Sequence, residues 1–179
     1  MEPKSNTKAA VVLVTLAVVA VVGAGVLAYR ADVAARESRA ELTRSMLEPA
    51  ALLLRENEAL LRELQSPPFA EQGTGIIATY LGKIRRDGVG PHAPMRQRLD
   101  RLADNNVAIV ALVQAYVPHA RSAAFNAETG RYRDYAAAWG DRWHSVMELF
   151  MLGGNLPAAD VPYPKGLAEA VQGELEAAK

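Results

Sequence analysis

Two asparagines, Asn57 and Asn106, stand where the surrounding sequence asks for apolar side chains. Each belongs to a run stepping by fours and threes. One run is Met46, Ala50, Leu53, Asn57, Leu60 and Leu64; the other is Met95, Leu99, Leu102, Asn106, Ile109, Val113 and Tyr116. Such spacing marks the seam of a packed helix. A buried amide without a partner costs about 1–3 kcal/mol. Each asparagine must therefore either meet a partner and fix helix register, or line a polar cavity that accepts a ligand. If Asn106 only sets register, Asn106→Leu should be neutral or stabilising, because the amide and its desolvation cost leave together.

An aromatic stripe, Tyr132, Tyr135, Trp139 and Trp143, has the spacing of one helix face. It reads either as core or as a ligand box. Arg142 beside it, and Asn155 in the loop that follows, complete the set of ligand or partner candidates: Asn57, Asn106, Trp139, Trp143, Arg142 and Asn155. His92, His119 and His144 lack the paired spacing of a metal motif. Lys83, Arg85, Arg86, Arg96, Arg98 and Arg101 could meet an anionic partner, but Asp87, Asp100 and Asp104 lie among them, as on a solvated bundle end. There is no Gly-Xaa-Ser-Xaa-Gly elbow, phosphate loop or His-Glu-Xaa-Xaa-His pair. The sequence thus offers no catalytic, cofactor-binding or metal residue.

These residues need a scaffold, and four helical segments supply it. The first runs to about Leu64, with Leu47, Leu54 and Leu61 widening its seam, and Ser66-Pro67-Pro68 ends it. Pro49 should bend it locally. A second, Phe69 to Ile84, closes at Asp87-Gly88-Val89-Gly90-Pro91. The third begins near Pro94; Val107, Val110, Leu112 and Val117 make it apolar on most of its circumference, so it should be the most buried. Pro118 ends or kinks it. The fourth runs from about Gly130 to Leu152, capped by Gly153-Gly154. A proline-rich loop, Asn155 to Pro164, then leads to a short tail helix at Leu167 to Leu175. Without strand-like alternation, this is an all-α chain: an antiparallel bundle of about four helices over residues 30–152, with 153–179 as loop and tail helix.

Ahead of the bundle, residues 9–29 carry no charge and are mostly Val, Leu and Ala. At ~1.5 Å per residue the run reaches roughly 30 Å, the thickness of a bilayer's hydrocarbon core. Lys4 and Lys8 flank one end, and Tyr29 and Arg30 the other. A single transmembrane anchor is expected, with 1–8 as a polar tail. The rival is a cleaved signal peptide ending at Val26-Leu27-Ala28, which the length of the run opposes. Arg30, Arg36, Arg39 and Arg44 argue for a cytoplasmic domain, but Asp32, Glu37 and Glu41 interleave with them. The signal-anchor layout favours an exported domain, periplasmic in a Gram-negative cell. Ala20, Ala24 and Ala28, with Gly23 and Gly25, would let two such helices approach as a homodimer.

Of 179 residues, 50% are hydrophobic, the formal net charge is zero, and cysteine is absent. Zero net charge gives no reason to expect nucleic acid, and the lack of cysteine excludes disulfides and thiol catalysis. Arginine outnumbering lysine, with abundant alanine, suggests a bacterial coding background. The layout resembles bacterial sensory input domains in architecture alone; those receptors add a second span and a signalling part that this sequence does not show. The expected function is a noncatalytic, membrane-anchored scaffold, accessory subunit or adaptor for an envelope protein. The alternative is a ligand-sensing bundle that signals through a partner.

Overall fold

The computed structural model describes the backbone from Asn6 onward and the side chains of Val22 and of residues 24–179. Five α-helices are present, with no strand among the described residues: α1 (Asn6–Leu64), α2 (Ile76–Asp87), α3 (Ala93–Tyr116), α4 (Ala123–Leu152) and α5 (Gly166–Glu176). Short 3-10 turns at Gly90–His92 and Val117–His119 precede and follow α3. The chain divides into two units, Met1–Leu42 and Thr43–Lys179.

The second unit is a helical bundle, and its pairings fix the helix directions. Glu63 meets Arg98, Glu56 meets Arg101 and Thr43 meets Tyr116, so numbers rise on α3 as they fall on α1. The two are antiparallel. Asp100 meets Trp143, Asn106 meets Tyr132 and Tyr116 packs on Phe125, making α3 and α4 antiparallel as well. Short α2 runs the same way as α4, with Tyr80 on Trp143 and Arg85 on the Leu149 carbonyl. Helix α5 is part of the bundle rather than a loose tail: Leu167, Val171 and Glu174 are buried.

The seven-residue seam expected on α3 is buried throughout. On α1 the seam is rotated from the expected one. Thr43, Leu47, Ala50, Leu54, Asn57 and Leu64 are buried, while Met46, Leu53 and Leu60 are only half-buried. The helix continues as α through Pro49. Contrary to expectation, α3 keeps a solvent face: Asp104, Val107, Ala111 and Gln114 are exposed, Val107 at 72%.

Two helix starts also differ. Helix α2 begins at Ile76, not Phe69. Gly73 adopts φ 73°, which breaks the helix before it, and Asp160 Oδ2 accepts from the Ile76 N–H at 2.9 Å to cap the new start. Helix α4 starts at Ala123, well before Gly130, because the Ser122 side chain accepts from the Ala124 N–H. Gly153, at φ 78° and ψ 9°, ends α4 as expected, donating to the Leu149 carbonyl at 3.0 Å.

The expected anchor, residues 9–29, falls mostly outside the residues with described side chains. Among the described residues no helix is long and apolar enough to cross a membrane.

Candidate functional site

Asn57 and Asn106 meet at the centre of the bundle. Asn57 Nδ2 donates to Asn106 Oδ1 at 2.9 Å and to the Tyr132 hydroxyl at 3.0 Å; Tyr132 donates in turn to Asn106 Oδ1 at 2.7 Å. Asn105 Nδ2 closes the group by donating to Asn57 Oδ1 at 2.9 Å. All four side chains are buried. The group joins α1, α3 and α4 through a register-specific set of amide and hydroxyl contacts, because sliding any one helix by a turn would break the bonds its own residues make.

Three further polar atoms border this group in poorer geometry: the Asn106 amide nitrogen and the Tyr135 hydroxyl lie beside each other, and the Tyr163 hydroxyl lies beside that of Tyr132. Tyr132, Tyr135 and Tyr163 form a mutual cluster with centroids 5.4–6.0 Å apart. Burial raises the hydroxyl pKa of all three, Tyr163 to about 12. Burial is the largest cause in each case, and neighbouring charge adds to it, from Glu58 at Tyr163 and from Tyr163 at the other two. These phenols are neutral hydrogen-bonding groups at ordinary pH.

The other candidates lie apart from this group. Trp139 is buried, and Trp143 packs on it at 6.2 Å, stacks against Tyr80 at 5.5 Å and donates through Nε1 to Asp100 at 3.2 Å. Arg142 donates to the Ala159 carbonyl at 2.7 Å. Asn155 Oδ1 accepts from Arg85 at 3.1 Å, and the same guanidinium also reaches the carbonyls of Leu149 and Gly154. Arg142 and Asn155 therefore hold the 153–165 segment against the bundle. Gly75 packs beneath that segment, donating to the Ala158 carbonyl at 2.6 Å; a Cβ there would lie 2.5 Å from Asp160 Oδ1.

The basic residues near the second turn mostly have acidic partners: Arg86 with Glu71, Arg96 with Asp100, Arg98 with Glu63 and Arg101 with Glu56. Hydrogen bonds from Arg86, Arg98 and Arg101 hold the glutamates below their usual pKa. The histidines are separate: His92 contacts Asp87, His119 packs on Tyr116 and His144 contacts the Gly140 carbonyl.

Sequence reading missed Glu174. Its buried carboxylate accepts from the N–H groups of Arg121 and Ser122, at 3.0 and 2.8 Å, and from the Tyr116 hydroxyl at 3.1 Å. Tyr116 also bonds Thr43, so one side chain of α5 links the end of α3 to the start of α4 and, through Tyr116, to α1. An acidic residue in a short amphipathic helix gives no local sign of this. The two open grooves flanking α5, each about 520 Å³, are lined by none of the six candidates. Comparison with protein-family models, curated proteins and solved structures gave no match, so the functional reading rests on the residues themselves.

Proposed function

We propose that this chain is a membrane-anchored, noncatalytic helical-bundle protein that binds another protein of the cell envelope, as a scaffold, accessory subunit or adaptor. The observation carrying this reading is that four mutual hydrogen bonds join Asn57, Asn105, Asn106 and Tyr132 across three helices. The polar residues that suggested a ligand site thus act as a register lock. Arg142, Trp143 and Asn155 likewise have internal partners. The anchor rests on the uncharged run at 9–29 and its flanking residues. The signal-anchor layout, a short polar tail followed by a long apolar run and a large domain, supports an exported domain.

A second reading, a ligand-sensing bundle, draws on the Asn106 amide and the Tyr135 and Tyr163 hydroxyls, whose internal contacts fall short of good hydrogen-bond geometry. A ligand would have to reach them through the 153–165 segment, where Tyr163 covers Tyr132 and Tyr135. Photocrosslinking in native membranes separates the two. A crosslinker on the exposed helix surface, at Val107 or Met151, should give a discrete protein adduct under the adaptor reading. Absence of any adduct, with a melting temperature raised by a small polar metabolite, would favour the sensor.

A further inference from the structure

Between Asn155 and Pro164 the chain forms no helix. Among the described residues its one backbone-to-backbone bond there leaves the segment: the Ala158 carbonyl accepts from the Gly75 N–H at 2.6 Å. Its side-chain ties go outward as well. Asp160 Oδ2 accepts from the Ile76 N–H at 2.9 Å, Arg142 of α4 holds the Ala159 carbonyl at 2.7 Å, and Arg85 of α2 holds Asn155 at 3.1 Å. Leu156, Val161 and Tyr163 are only half-buried against the core. The segment is thus a strap fastened at a few points, with no internal structure of its own.

Two parts of the bundle depend on this strap. The first is the start of α2. Gly75, at its N-cap, has no side chain to offer, so the strap supplies the missing acceptors through Asp160 on Ile76 and Ala158 on Gly75. The second is the amide–tyrosine group. The Tyr163 ring packs edge-on against Tyr132 and Tyr135, with centroids 6.0 and 5.4 Å away. Moving it would let water reach the Asn106 amide and the Tyr135 hydroxyl, which are poorly bonded in the closed bundle. The strap is also stiff. Pro157, Pro162 and Pro164 fix three of its φ angles, so it cannot readily flex around one broken tie to keep the others.

We propose that the strap is a latch: it detaches as one piece, uncapping α2 and opening the Asn106–Tyr132–Tyr135 group together. The latch stands independently of the adaptor and sensor readings. Under the sensor reading it is the route by which a molecule bound beneath Tyr163 would alter the surface of α2, where Arg85 and Arg86 are exposed.

Two variants of the full chain in lipid nanodiscs cut the strap from opposite sides. Arg142→Ala removes its tie to α4; among the described residues Arg142 makes no hydrogen bond to α2. Gly75→Ala pushes it off α2, because a Cβ there would meet Asp160 and the Ala158 carbonyl. In Arg142→Ala, amide exchange at Thr79, Tyr80 and Leu81 should accelerate about tenfold, as expected for losing one charge-assisted bond from a local opening. The Ile109 amide, at a buried position of α3, should keep its original rate. In Gly75→Ala, nitration of Tyr135 by tetranitromethane should accelerate about tenfold, whereas Tyr116, buried beside Glu174, should not respond. Each variant should also produce the other's change. A response at α2 without one at Tyr135, or the reverse, would mean that the two move separately and would overturn the latch. Acceleration of Ile109 in step with α2 would mean that the bundle opens only as a whole, and unchanged rates at both sites would mean that these ties fasten nothing; either result would overturn it equally.

Discussion

Removing the Asn57 side chain tests the register lock most sharply. Asn57→Ala deletes three buried hydrogen bonds, at 2.9, 3.0 and 2.9 Å, to Asn106, Tyr132 and Asn105. Each such bond is worth about 1 kcal/mol net, and Asn105 keeps a buried donor with its acceptor gone. A small void adds a few tenths of a kcal/mol, at about 24 cal/mol per Å³ of residual cavity. The expected loss is about 3–4 kcal/mol, a fall of roughly 10 °C in melting temperature for a domain of this size. Tyr132→Phe removes two bonds, from Asn57 and to Asn106, and leaves the mutual Asn57–Asn106 bond intact, so it should cost about 2 kcal/mol. Paired urea denaturation of both variants measures the difference. A loss below about 1 kcal/mol for Asn57→Ala, or the reverse order of the two, would refute the lock.

The same geometry revises the expectation that Asn106→Leu is neutral: its Oδ1 accepts from both Asn57 and Tyr132, so removing it should destabilise in chemical denaturation, and a gain in stability would contradict this. Trp139→Ala, at a ring 2% exposed, should cost about 3–5 kcal/mol by the same assay. Gly75→Ala should destabilise the 153–165 segment and raise its proteolysis, because a Cβ would press on Asp160 and the Ala158 carbonyl. The raised pKa values of Tyr132, Tyr135 and Tyr163 stabilise the fold fully below the ordinary tyrosine value near 10, and that stability is lost as pH rises through the raised values. Phenolate absorbance should show these three titrating only as the bundle unfolds; early titration at pH 10 would contradict their burial.

How much of this was legible in the sequence depended on how narrow each stripe was. On α3 the four-three spacing picks out seven positions and all are buried, whereas the further apolar residues around it suggested more burial than Val107 shows. On α1 the adjacent pairs Met46/Leu47, Leu53/Leu54 and Leu60/Leu61 make a stripe too wide to fix its angle. The partners decide, through Thr43 on Tyr116 and Asn57 on Asn106. Asn57 and Asn106 were legible as misfits in an apolar pattern, but nothing local revealed that they would meet each other and Tyr132. The starts of α2 and α4 were misplaced because their caps are a glycine turn with Asp160, distant in sequence, and a serine before an alanine-rich opening. Glu174 was invisible for the same reason: its three partners come from the Tyr116–Ser122 region, far along the chain.

The central claim is that a membrane-held helix presents a bundle to a protein partner. Alkaline carbonate washing of native membranes, after photocrosslinking from Val107 in the full chain, tests both halves in one gel. The account predicts that the chain stays with the membrane pellet and shifts to a single discrete adduct larger than itself. Release into the supernatant at the mass of the free chain would contradict it.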